Sequence, residues 1–218
     1  MNAREVFDRF VSVLFPQRCL QCGDAVAFED FLCAGCGFVP VGEVELPFVS
    51  RLSGVAGVLE YSGDRRGLVL KIKGAPPARV CDFFAGEMHK VFMRHWGGVA
   101  FDVIVPVPTT NAKMRSRGFN QVDFLARPLG ELIQIPVLPD ALRREEGSKT
   151  QHELGRAQRE ENARLSYKIN QPDKVAGQVV LLLDDLLTTG YTVSACADCL
   201  LSAGAAQVYA LCAAFTPL

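Results

Sequence analysis

No stretch of the 218-residue chain approaches the roughly 18 consecutive apolar residues that a membrane span needs. The first fifteen residues, MNAREVFDRFVSVLF, also lack the unbroken apolar block of a secretory signal, because Glu5 and Asp8 interrupt it. A cytoplasmic protein with no membrane span is the expectation. Net charge is almost absent: 23 Lys and Arg stand against 24 Asp and Glu. That balance excludes a surface that is basic throughout and binds polyanions wholesale. Histidine is scarce, and His89, His95 and His152 have no partner at ligand spacing. There is neither an internal repeat nor a low-complexity tract, which leaves an ordinary globular chain.

Hydrophobic residues make up 49% and charged residues 22%, enough for one core domain with a small appendage. The charge is unevenly spread. Residues 1 to 60 carry four Arg against eight acids, whereas 111 to 168 carry eleven Lys and Arg against eight acids, so the basic patch lies in the second half. A solvated face is the plain explanation of such a patch.

Four of the eight cysteines form two matched pairs, Cys19/Cys22 in CLQCG and Cys33/Cys36 in CAGCG, ten residues apart. Gly23 and Gly37 follow the pairs and let the backbone turn its amides toward sulfur. Disulfides suit a reducing compartment poorly, and reactive thiols have no need of two matched pairs. Structural zinc on Cys19, Cys22, Cys33 and Cys36 is therefore expected. Such a site contributes ~10 kcal/mol or more to folding and can hold a segment too small for its own core. Cys196 and Cys199 also read CxxC, but they lie in an apolar helical stretch; they are expected in the core, as are Cys81 and Cys212.

Residues 2 to 15 show helical spacing, and Pro16 ends the pattern. A strand is predicted near Val55 to Tyr61, then a short helix through Ile72 and a longer one from Arg79 to Trp96. From Phe101 strands and helices alternate: FDVIVPVP, a helix over 121–133, IPVLP, a helix over 153–164, QVVLLLDD, a helix over 194–201 and AQVYALCAAF. The pattern predicts a parallel α/β sheet with flanking helices. Residues 1–45 are expected to form the N-terminal helix and metal module, and 46–218 the second domain, with its α/β core from about 99.

The stretch VVLLLDDLLTTGYT at 179–192 carries the chemistry. Five aliphatic residues make a strand buried on both faces. Asp184 and Asp185, at about 4 Å, would repel by roughly 4 kcal/mol at an effective dielectric near 20, so their adjacency calls for a cation or a row of hydroxyls. The alternation of strand side chains lets both reach one ligand only where the strand gives way to a loop. Leu187, Thr188, Thr189, Gly190, Tyr191 and Thr192 then lead into a helix. Turned amides, a helix N-terminus and three hydroxyls make a phosphate the expected guest, with sugar hydroxyls or magnesium at the carboxylates.

This loop resembles the phosphoribosyl-pyrophosphate loop of type I phosphoribosyltransferases. Together with VPVP at 105–108, KMRSRGFNQ at 113–121, the pair Arg143 and Arg144, KTQHELGRAQREENAR at 149–164 and the four-cysteine module, it resembles the ComF family of phosphoribosyltransferase-like proteins over nearly the whole chain. The resemblance implies that Asp184 and Asp185 bind ribose hydroxyls and that 188–192 hold the 5-phosphate. It makes Val107, Pro108 and Thr109 part of a pyrophosphate loop, and it assigns Lys113, Arg115 and Arg117 to the leaving pyrophosphate. A plain surface role would set these cations near a predicted helix start, a place that cations disfavour. By the same analogy Lys149, Gln151 and Arg159 belong to a lid, with His152 among them. Tyr191 departs from the family's smaller residue; its amide is intact, and its ring would narrow the acceptor space. The implied activity is magnesium-dependent transfer of phosphoribosyl to an unidentified acceptor. The alternative is a non-catalytic protein that senses phosphoribosyl pyrophosphate or handles single-stranded DNA beside DNA-uptake proteins, with Phe119 as a ring to stack on and Phe124 expected in the core.

Overall fold

A computed structural model describes residues 16–44, 51–73, 76–145 and 166–217. The helices expected over 2–15 and 153–164, and the lid residues Lys149, Gln151, His152 and Arg159, lie outside the described residues. In chain order the elements are β1 (Gln17–Arg18), β2 (Ala25–Val26), β3 (Gly42–Glu43), β4 (Gly54–Glu60), a 3-10 turn (Gly63–Arg65), α1 (Arg66–Leu70), α2 (Ala78–Trp96) and β5 (Val103–Pro106). There follow α3 (Asn111–Arg117), α4 (Asp123–Ile133), β6 (Leu142–Arg144), β7 (Tyr167–Ile169), α5 (Pro172–Val175), β8 (Val179–Leu187), α6 (Tyr191–Ser202) and β9 (Gln207–Phe215). No helix among the described residues is long and apolar enough to cross a membrane.

The main sheet has the order β3-β4-β9-β8-β5, parallel except for the antiparallel edge strand β3. It therefore reaches back to Gly42 and includes β4, well before the core expected from about residue 99. Of IPVLP only a parallel bridge forms, Val137 to Ile104 beside β5. The sheet divides the interior by strand parity. Leu181 and Leu183 of β8 bury with Phe84, Met88 and Leu125 of α2 and α4, whereas Val180 and Leu182 bury with Val193, Cys196 and Leu200 of α6. Both layers are closed, which explains why β8 is aliphatic at every position up to its carboxylates.

Gly57, at the middle of β4, faces the Phe215 ring so closely that a Cβ would sit 2.6 Å from its Cδ1. Phe215 is buried and cannot swing aside. Gly57→Ala is expected to destabilise by about 1–3 kcal/mol, lowering the melting temperature by about 5 °C in differential scanning calorimetry; an unchanged midpoint would show that the β4–β9 pair yields.

The four-cysteine segment lies on α2. Phe83 meets Phe31 at 5.7 Å and Phe38 at 6.0 Å between ring centroids. The Arg79 guanidinium donates to the carbonyls of Arg18 and Asp30, and Lys71 Nζ donates to that of Leu20 at 2.5 Å. Cationic side chains thus satisfy carbonyls that the tiny β1–β2 hairpin leaves unpaired.

Candidate functional site

The C-terminal ends of β5 and β8 lie side by side, joined by the Val107 N–H donating to Leu183 O at 2.8 Å. After β5, Thr110 caps α3: its Oγ1 accepts from Lys113 N at 3.2 Å. Gly118, at φ 80°, ends that helix in the left-handed conformation. Asn120 Nδ2 then donates back to Val107 O at 3.0 Å, which ties the end of RGFNQ to the start of the loop at 107–109.

β8 does not give way to a loop at the carboxylates. It runs on to Leu187, with Asp184 in register with Cys212. Alternation consequently separates the two acids. Asp184 turns toward the α6 layer and is 7% exposed, its Oδ1 accepting from Asp185 N at 2.9 Å. Burial first, and then the charge of Asp185, push its carboxyl well above the ordinary carboxylate range. Asp185 turns toward α4, where its Oδ2 accepts from Gln121 Nε2 at 2.9 Å, while Gln121 Oε1 accepts from Arg117 Nη1 at 2.9 Å. Arg117 thereby reaches Asp185 through the buried amide of Gln121 rather than by contact.

Past the strand, Thr188 and Thr189 are exposed, and Gly190 adopts φ 80° as the N-cap of α6. No side chain caps that helix. Tyr191 and Thr192 occupy its half-buried first turn, and Leu187 is buried beneath it. Asp185, Gln121 and Arg117 are brought together, whereas Asp184 lies on the opposite face of β8. Lys113 and Arg115 stand exposed on α3. Arg115 and Arg117 fall in the last turn of α3, where the helix dipole favours cations. The electrostatic misfit expected for Arg115 and Arg117 at a helix start is thus absent.

Three residues of the neighbourhood received no role from the sequence. Gln121 and Asn120 stood in RGFNQ, a family mark, but nothing in their spacing showed that one reaches β8 and the other the 107–109 loop. Arg144 stacks over the Tyr167 ring at 5.3 Å and is among the charges acting on Asp184. Phe124 is 36% exposed, contrary to its expected core position, and packs edge-to-face on Phe119 at 5.2 Å; Leu125 and Ala126 take the buried side of α4 instead.

Asp123, at the start of the same helix, accepts from Asn120 Nδ2 at 3.3 Å. Burial raises its carboxyl to about 6, against the pull of Arg127. A raised acid stabilises the fold below its unfolded pKa and loses that contribution as pH rises through the folded one. The melting temperature of Asp123→Asn minus that of the wild type is therefore expected to grow between pH 4 and 7, and carboxyl carbon NMR is expected to place the midpoint near 6. A flat difference and a midpoint near 4 would refute the burial argument.

The four thiols of Cys19, Cys22, Cys33 and Cys36 lie within 4.8 Å of one another, Cys22 and Cys33 at 3.7 Å. Tetrahedral sulfur at ~2.3 Å from zinc requires sulfur edges of roughly 3.8 Å, so the set fits that ion. Burial opposes ionisation of Cys19, but the amides of Cys22, Cys33 and Gln21 outweigh it and bring the thiol down to about 6. Cys81, Cys196 and Cys212 are buried as expected; Cys199, also expected in the core, is half-buried and donates to Tyr167 O at 3.2 Å. His95 Nδ1 lies 3.8 Å from Glu43, with no ligand cluster near it among the described residues.

A largely parallel α/β sheet flanked by helices, with a four-cysteine cluster ahead of it in the chain, is the phosphoribosyltransferase-like architecture that the ComF resemblance implied. The chain belongs to the ComF family, that of the DNA utilization protein YhgH. It is 31% identical to the Salmonella typhi YhgH protein over 205 residues, 89% of each chain. It is also 28% identical to competence protein ComFC of Bacillus subtilis over 151 residues (68% of this chain, 58% of that one), and 28% identical to competence protein F of Haemophilus influenzae over 108 residues (49% and 47%). No family model matches the chain. Among solved structures it is similar to glutamine phosphoribosylpyrophosphate amidotransferase from B. subtilis (TM-score 0.46, 19% identity, 66% of this chain and 30% of that one). It is similar also to adenine phosphoribosyltransferase from Thermoanaerobacter pseudethanolicus (TM-score 0.40, 18%, 63% and 81%).

Proposed function

We propose that this cytoplasmic protein binds phosphoribosyl pyrophosphate with magnesium at the carboxyl ends of β5 and β8 and transfers phosphoribosyl to a nucleophilic acceptor. The observation that carries the reading is the sequence of events at β8. A buried acid and a hydrogen-bonded acid are followed, five residues past Asp185, by a left-handed glycine and a helix start that no side chain caps. Each part has a task in this reading. The amides and hydroxyls of 188–192 hold the 5-phosphate, and Asp184 and Asp185 hold the ribose hydroxyls. Residues 107–109 cradle the pyrophosphate, and Lys113, Arg115 and Arg117 offset its charge as it leaves. A magnesium ion bound beside the carboxylates would supply further neutralisation of the pyrophosphate oxygens. Gln121 fixes Asp185 and passes on the influence of Arg117. The four cysteines hold a structural zinc that keeps the N-terminal module folded on α2.

The test is calorimetric titration of phosphoribosyl pyrophosphate with magnesium, followed by a pyrophosphate-release assay against a panel of bases and amines. Binding with acceptor-dependent release is the expected result, and absence of binding would overturn the reading. A second reading rests on the exposed Phe124, packed on the half-buried Phe119 two residues after Arg117: the protein handles single-stranded DNA without turnover, in keeping with relatives named for DNA utilization and competence. It requires DNA binding that weakens with salt and is lost when Arg115 and Arg117 are neutralised.

A further inference from the structure

Tyr167 opens β7 and is 4% exposed, yet its hydroxyl has no hydrogen-bond partner. A phenol buried without a partner is unfavourable, and at the same position phenylalanine would avoid that cost. The surroundings show what the hydroxyl is for. β7 packs on α6, with Cys199 Sγ donating to Tyr167 O at 3.2 Å, and the Tyr167 ring is buried in one cluster with Val193 and Cys196 of that helix. The Arg144 guanidinium lies over the ring, 5.3 Å from its centroid, and fixes its plane. Burial holds the phenol well above its ordinary range, and its electrostatic neighbours are Cys196, Arg144, the Thr192 hydroxyl and Asp184. Thr192 is thus near enough to act on the phenol without completing a hydrogen bond to it.

We propose that Tyr167 is a positioning residue of the loop: when a phosphorylated ribose occupies residues 188–192, the phenol donates to Thr192 Oγ1 and directs the threonine's own hydrogen to the ligand's phosphate. This rests on the reading of the loop given above. A threonine hydroxyl has one hydrogen and two lone pairs. Accepting from the phenol at one lone pair turns that hydrogen away from the ring and toward the ligand's side. The phenol is a fitting donor because it stays protonated, and the ring cannot retreat because Arg144 and α6 enclose it.

Tyr167→Phe keeps the ring, its packing and the Arg144 stack, and removes only the oxygen. The free variant is expected to melt at the wild-type temperature or above it. Its dissociation constant for magnesium phosphoribosyl pyrophosphate, and for ribose 5-phosphate, is expected to rise roughly 5- to 10-fold, the loss of one hydrogen bond. In a Thr192→Val background the same substitution should change affinity by less than about 2-fold, because the group it acts through is gone. A merely structural role would show the same loss in both backgrounds, and that result overturns the proposal. If the wild type binds and Tyr167→Phe binds equally well, the role of Tyr167 falls and the loop reading stands. If the wild type binds neither ligand, the loop reading falls and takes this role with it.

Discussion

The double variant Asp184→Asn/Asp185→Asn is expected to be more resistant to heat than the wild type at pH 8 and unable to bind phosphoribosyl pyrophosphate. Both effects have one origin. Asp184 is sealed in the α6 layer beside a second carboxylate, and its carboxyl is pushed well up by burial and by Asp185. An acid raised in the folded state destabilises the fold increasingly as pH climbs above the ordinary carboxylate range. An amide retains an acceptor for the Asp185 N–H and for Gln121 Nε2, so neither hydrogen bond of the free protein is lost. The gain in melting temperature should accordingly shrink between pH 8 and pH 5. On the ligand side, two charged hydrogen bonds to ribose hydroxyls are worth about 1.5–3 kcal/mol each, so affinity should drop by roughly 100- to 10,000-fold. Calorimetry with and without ligand reads both. Affinity held within about tenfold would remove the acids from the ligand site.

The second large effect concerns the cysteines. Cys22→Ser/Cys36→Ser is expected to purify without zinc, whereas the wild type carries one ion per chain, and to leave residues 17–38 unprotected in hydrogen exchange. Of that segment only Cys19 and Leu20 are buried, and its hairpin has two residues per strand. A metal worth ~10 kcal/mol outweighs everything else that can hold so small a unit. What remains for the variant is the contact with α2 through Phe31, Phe38, Arg79 and the neighbouring Lys71. Full protection in metal-free protein would mean that these contacts suffice, and would end the case for structural zinc.

The strands and long helices were legible because their side chains repeat. Burial on both faces wrote most of β8 and β9 as apolar runs, and α2 carries its apolar residues at helical spacing. The loop was legible because its residues are contiguous. Elements held by single long-range contacts were not. α3 is a polar seven-residue helix with no buried residue, so it has no apolar stripe to read. β6 and β7 are three residues each and pair across 22 intervening positions. Gln121 meets Asp185 across 64 positions, a contact that only the folded sheet creates. Phe124 misled for a related reason: an aromatic beside Leu125 looks like core until the helix phase is fixed by Leu125 and Leu129.

The strand order also governs when the chain can fold. β9 lies between β4 and β8, so β4 has no parallel neighbour until a strand about 150 residues later arrives. At ~5–20 residues per second, translation leaves β4 waiting roughly 7–30 s, and the aromatic face of α2 somewhat less. Throughout that interval Phe83, Phe84 and Phe92, buried in the finished protein, have no sheet to cover them. Slow, non-local strand pairing therefore sets the pace of its maturation.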